Sequence, residues 1–211
     1  MMNFLRFFER RKAPCQESSS SKGAEGHEDS LVSPAERPNE AQRELVKDSW
    51  RALQQDIARV GVIIFVRLFE THPECKDIFF QFRDMDDLHK LKRSRQLKAH
   101  GLRVMSFIEK TVARLEQEAV LEALILDLGR KHYRYNAAAK YYMFVGLEFI
   151  DTIRPFFEDK WTTELEEAWK ALFRYLTWTM SRGYRAEEQS GDSVKSTAEE
   201  QPPPLKHIPP V

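Results

Sequence analysis

Two histidines, His100 and His132, lie on apolar faces of helix-like stretches, and imidazoles so placed are candidate metal ligands. In "LGRKHYRYNAAAKYY", His132 follows Leu128 by four residues and Leu124 by eight, the spacing of one helix face. His100 shares a face with Leu97, Val104, Phe107 and Ile108 in the same way. A hydrogen-bonded core or capping histidine explains either one alone. A charged His132 near a helix end would gain up to ~2 kcal/mol as a cap. Together the two point to a metal gripped between opposed rings.

The pair is separated by 32 residues. A helix running on from His100 to about Ala113 climbs ~20 Å at ~1.5 Å per residue. A turn near Arg114–Glu118 and a returning helix descend by the same distance, so His132 comes back level with His100. A structural zinc site wants four Cys, His or carboxylate ligands, but the neighbours here are Val104, Phe107, Leu124 and Leu128. A porphyrin answers that composition, because it brings four equatorial nitrogens, asks the protein for axial ligands only and needs a flat apolar slot. Directly packed helices stand ~8–10 Å apart, so an iron between two imidazoles requires them splayed, as a wedged disc would splay them.

The elements that must position the pair read as helices throughout. Asn39, with Gln42 three residues on, has the pattern of a capping box opening a helix that carries Leu45, Trp50 and Leu53. A second helix holds Val62, Phe65, Val66 and Phe69 and stops before Pro73, because the residue preceding proline is pushed out of the α region. A short turn leads to Phe79. The charged "RDMDDLHKLKRS" precedes a helix of roughly 20 residues through His100, and then comes the helix ending at His132. One more carries Phe144, Val145, Phe149, Ile153 and Phe156, and the last carries Leu165, Trp169, Leu172, Leu176 and Met180. No heptad persists and no Asn-Gly or Asp-Gly hairpin pair occurs, so the expectation is an all-α globule.

This helical domain is placed at residues 38–186. Residues 1–37 pass from an apolar-basic dozen into "QESSSSKGAEGHEDS", a polar stretch expected to be mostly disordered, and residues 187–211 read as a disordered Pro-containing tail. Lys+Arg and Asp+Glu both number 33, so no global field draws in nucleic acid. Two cysteines, Cys15 and Cys75, make no disulfide framework and read as free thiols of a reducing compartment. No apolar run approaches the ~20 residues of a membrane span, and the start lacks the pattern of a secretory signal. The expectation is a cytoplasmic protein.

Over roughly Pro38 to Arg185 the chain resembles a globin. The resemblance is carried by "SWRAL", "FVRLFETHPECKDIF", "HGLRVM", "LGRKH", "KYYMF" and "MSRGY"; their order and spacing, more than any one string, make it specific. It implies the globin fold, about seven to eight helices around a haem b pocket. It implies Phe79, six residues after Pro73, as the phenylalanine packing on the haem, and Val104 as the distal-pocket aliphatic. His100 takes the place of the distal histidine and His132 that of the proximal iron ligand. Leu128, one turn before His132, is expected beneath the ring, and Arg103 near a haem propionate. "SWRAL", "LFETHPEC", "LGRKH" and "MSRGY" resemble the neuroglobin and globin X branch more than myoglobin or haemoglobin chains, and the extended termini resemble globin X. That branch implies iron held by both histidines when no external ligand is present.

Reversible binding of O2 and other diatomic gases follows from the resemblance. Redox work with a cellular reductase, reduction of nitrite to NO, sensing, and plain O2 storage or transport on a five-coordinate ferrous haem are all compatible with the sequence; no dedicated catalytic machinery is evident. Globin X chains often carry glycine and cysteine after the initiator methionine. Here Met2 and Asn3 stand there, which excludes N-myristoylation as the chain is written. Phe4, Leu5, Phe7 and Phe8 with Arg6, Arg10, Arg11 and Lys12 leave peripheral membrane contact through residues 1–15 open, with Cys15 as an acceptor for palmitate.

Overall fold

The computed structural model describes residues 35–79, 82 and 87–199. The expectations placed on residues 1–34, Cys15 among them, and on residues 200–211 lie outside that range. The described residues form seven α-helices: α1 (Glu40–Leu53), α2 (Ile57–Thr71), α3 (Leu88–Arg93), α4 (Arg95–Val112), α5 (Glu118–Arg134), α6 (Tyr142–Phe157) and α7 (Thr163–Glu199). Short 3-10 helices cover Pro73–Ile78, Ala139–Tyr141 and Glu158–Lys160, and no strand occurs among the described residues.

Helix boundaries follow local chemistry. The expected capping box is present: the Gln42 N–H donates to Asn39 Oδ1 and the Asn39 N–H to Gln42 Oε1, both at 2.9 Å, which satisfies two donors that an uncapped helix end leaves free. Helix α2 stops at Thr71, His72 leaves the helical region, and Pro73 starts the tighter 3-10 turn that delivers Phe79. From Asp87 onward the charged run is helical. Asp87 accepts from the N–H groups of His89 and Lys90 and nucleates α3, and Ser94 then accepts from the Leu97 N–H to start α4 afresh.

The C-terminal boundary set at residue 186 is not where helix ends, because the backbone of α7 continues to Glu199. The first proline after Pro155 is Pro202, and "RAEEQ" consists of good helix formers that carry the helix past residue 186.

The turn between α4 and α5 sets the height of His132 on α5 relative to His100 on α4, and it is pinned. Arg37 reaches Glu118 at 2.6 Å and the Leu115 carbonyl at 2.7 Å. Arg43 and Lys47 of α1 share Glu116 at 3.0 and 2.7 Å. These two cations hold the Glu116 carboxyl down at about 2, so it remains ionised well into acid. His100 stands twelve residues before the end of α4 and His132 fourteen after the start of α5, a rise of ~18 and ~21 Å respectively.

Two glycine-mediated crossings bring backbones together. A Cβ on Gly101 would stand 2.7 Å from the Gly61 carbonyl, and one on Gly61 would stand equally close to Gly101. Where α5 crosses α7, a Cβ on Gly129 would strike the Met180 carbonyl, and one on Gly183 the Leu126 carbonyl. Alanine is the better helix former by ~1 kcal/mol, but at Gly101 the obstacle is backbone, which yields only if α2 and α4 separate. Gly101→Ala is therefore expected to lose ~1–3 kcal/mol of stability, measured as a lower urea midpoint with an unchanged slope.

One apolar cluster joins α1, α2, α4, α5, α6 and α7 around Trp169, which is fully buried, donates its indole N–H to Ser49 Oγ at 3.1 Å and packs on Phe149 at 4.8 Å. A second joins Phe65, Phe69, Cys75, Phe82 and Leu97, and Val104 packs against both. Cys75 belongs to this packing. Burial, with Glu74 adding to it, pushes its thiol up to about 11, so it stays protonated and unreactive.

Candidate haem pocket

His132 lies in the last turn of α5, half-buried, and its orientation is fixed from two sides. Its Nδ1 lies 2.9 Å from the carbonyl of Leu128, the residue one turn earlier, and its ring meets Tyr142 edge-on at 5.3 Å. With Nδ1–H donating to that carbonyl, the free lone pair is on Nε2. Tyr142 is itself held, donating its hydroxyl to the Ala137 carbonyl at 3.1 Å. Its phenol is shifted upward by burial, so it stays neutral.

His100 sits second turn into α4 with its ring against two aromatics, Phe65 at 4.7 Å and Phe79 at 5.0 Å, both edge-on. Neither of its nitrogens hydrogen-bonds another described residue, although the ring is half-buried. Burial drives its pKa down to about 4, and the nearby His132 ring and Arg103 push in the same direction. Burial also lowers His132, partly offset by the hydrogen bond to Leu128. Both imidazoles are therefore neutral near pH 7, the state in which a ring nitrogen can donate to iron.

Between α4 and α5 opens a cleft of about 540 Å³, lined by residues that include Leu102, Arg103, Phe107, Leu124 and Leu128, within the ~300–1,000 Å³ of cofactor pockets. Neither His100 nor His132 is among its lining residues; each follows one of them in sequence, Ala99 and Lys131. Lys110 and Lys131 join Arg103 on the walls against a single carboxylate, Asp127, so the lining is apolar with a cationic rim. That suits a flat apolar macrocycle bearing two carboxylates. Among the described residues, no cluster of His, Cys, Asp or Glu could hold a metal by protein ligands alone.

The expected site residues divide by position. Arg103 and Leu128 line the cleft, and Val104 stands one turn beyond His100 at the junction of the two core clusters. Phe79 packs edge-on with His100, Phe65 and Phe69. Sequence reasoning missed Phe65 as a contact of His100 and Tyr142 as a contact of His132. Phe65 looked like one more core position of α2, and nothing in the periodicity marks which core residue faces an imidazole. Tyr142 lies in the quoted "KYYMF", but only the folded corner brings it to His132.

Residues 62–180 match the globin family model, and the chain belongs to the globin family. Globins pack their helices around a haem, with a histidine on the iron, and membership of the family makes this chain a haem-binding globin that takes gases such as O2. Among similar proteins are cytoglobin-2 of Danio rerio, 28% identical over 161 residues (74% of this chain, 90% of the relative), and neuroglobin of Danio rerio, 28% identical over 149 residues (71% and 94%). The fold also matches the crystal structure at pH 4 of a hexacoordinated heme protein from an anhydrobiotic tardigrade, with a TM-score of 0.65 and 18% identity, covering 70% of this chain and 95% of that one.

Proposed function

We propose that this chain carries haem b between His132 and His100, that a diatomic gas binds where His100 withdraws, and that the protein serves redox, nitrite and NO chemistry or sensing more than bulk storage of O2. One observation carries the reading. His100 is a half-buried, neutral imidazole wedged between Phe65 and Phe79 with no hydrogen-bond partner among the described residues, and α5 carries a second neutral imidazole, His132, whose Nδ1 is engaged.

When bound, the haem supplies an iron that cycles between ferric and ferrous and takes up diatomic gases. The residues of the chain do the rest. His132 binds through Nε2, its direction set by Leu128 and Tyr142. Phe79 and Phe65 confine the His100 ring, Val104 and Leu128 exclude water, and Arg103 offers its guanidinium to a propionate. Two imidazole nitrogens, from His132 and His100, would suit iron in either oxidation state. The relatives include a neuroglobin, and a structural neighbour is described as hexacoordinated; both are in keeping with two axial histidines.

The test is the visible spectrum of the reduced, gas-free protein. Two sharp, split bands are expected. A broad single band would mean that His100 stands off the iron and would return the protein to an O2 carrier of the five-coordinate type.

A further inference from the structure

We infer that Arg67, Thr71 and Glu148 form a latch between α2 and α6 that holds the aromatic wall behind His100, and so governs how readily that ring moves aside for an incoming gas. The inference rests on the haem reading above and deepens it with three positioning residues, none of which lines the α4–α5 cleft. Glu148 is the one charged side chain that is buried among the described residues, at 6% exposure. Both of its carboxylate oxygens are engaged: the Arg67 Nε–H donates to Oε2 at 2.8 Å and the Thr71 hydroxyl to Oε1 at 2.7 Å. The other arm of Arg67 reaches Asp151 of α6 at 3.6 Å. A buried pair of this kind adds little stability over apolar side chains of the same size, yet removing one partner is costly because the other is left buried and uncompensated. What it fixes is the position of one helix on the other.

Position matters because of what α2 carries elsewhere on its surface. Arg67 and Thr71, one turn apart, meet α6, while Phe65 and Phe69, also one turn apart, lie on the side of His100. Phe65 meets the His100 ring at 4.7 Å, Phe69 meets Phe79 at 5.4 Å, and Phe79 meets the His100 ring at 5.0 Å. Phe65 also contacts Phe79 at 5.9 Å, so the three phenylalanines make one continuous wall.

The two halves of α2 are held by different means. Its N-terminal half touches α4, the helix of His100 itself, through the backbone approach of Gly61 to Gly101. Its C-terminal half is drawn to α6 by the latch and, just past the helix end, by the His72 ring stacked on Phe144 at 3.8 Å. Releasing the latch therefore frees Phe65 and Phe69 to give way without parting the two glycines. The wall then yields more easily when His100 withdraws.

The test uses the full chain loaded with haem and two variants. Glu148→Gln keeps the shape and removes the charge; Thr71→Val, at an exposed position, removes one hydrogen bond and leaves the ion pair. Rapid mixing with CO reads the rate reached at high CO concentration. That rate is expected to rise about tenfold in Glu148→Gln and by a smaller factor in Thr71→Val, which decides alone should Glu148→Gln fail to fold. In the His100→Ala background, CO should bind equally fast with and without Glu148→Gln. Amide hydrogen exchange on the same proteins should quicken in the C-terminal half of α2 and stay unchanged in α1 and α5. CO rates equal to those of the parent would overturn the inference. So would a rate change that persists without His100, or one accompanied by faster exchange throughout the chain, since both mark general loosening. A broad single band in the reduced, gas-free spectrum would defeat the two-histidine reading instead. The latch would still require Glu148→Gln to speed CO entry only while His100 is present, and equal rates there would overturn it as well.

Discussion

His132→Ala is expected to give a folded, helical protein that retains little or no haem. The ring is half-buried in the last turn of α5, outside the set of fully buried side chains, so its loss opens no core cavity. What it loses is the hydrogen bond to Leu128 and the edge contact with Tyr142, together ~1 kcal/mol. Haem affinity should fall far more, because His132 is the nitrogen ligand proposed to hold the iron from the α5 side. Reconstitution followed by desalting should leave the Soret band largely absent while far-UV circular dichroism stays near that of the parent. Free imidazole, which fits the vacated volume, should restore part of the band. A normal Soret band in the variant without imidazole would mean that another residue is the proximal ligand.

The helical path that sets this pair was readable from the chain because it depends on lengths and stops, and both have local causes. Pro73 ends α2, Asn39 and Gln42 open α1, and the turn at Ala113–Gln117 falls where the antiparallel reading of His100 and His132 needs it. Propagation past a plausible end was not readable in the same way: α7 continues through "AEEQ" because helix persists until something stops it, and composition alone suggested a tail. Helix α3 was hidden for the opposite reason, since six residues give no periodicity and its start is set by the His89 and Lys90 N–H groups donating to Asp87.

The pocket shows a similar divide. Val104 and Leu128 follow from helical spacing relative to the histidines, whereas Phe65 and Tyr142 reach those rings across helix packing and a corner. The Gly61–Gly101 approach, which presses α4 onto α2 beside His100, has no signature in a single chain beyond two isolated glycines.

His100→Ala should change ligand binding as much as His132→Ala changes cofactor retention, and in the opposite sense. If His100 occupies the sixth position, a gas binds only in the fraction of molecules where the ring has withdrawn, and the observed dissociation constant is the intrinsic one divided by that fraction. Minor states of proteins are commonly populated at ~0.1–10%, so removing the competitor should tighten binding of CO on the order of 10- to 1,000-fold. His100 also makes an opposing contribution, because a distal imidazole can donate a hydrogen bond to O2. That bond is worth ~0.5–1.5 kcal/mol, about tenfold at most, so CO, which gains little from it, is the cleaner probe. The ring is wedged between Phe65 and Phe79 at 4.7 and 5.0 Å, so its withdrawal must disturb that stack. In the parent this should appear as a slow phase of CO binding whose rate stops rising at high CO concentration. The variant should lose that phase and bind in one step proportional to CO. Saturating kinetics that survived in the variant would show that some other motion, and not release of His100, limits access to the pocket.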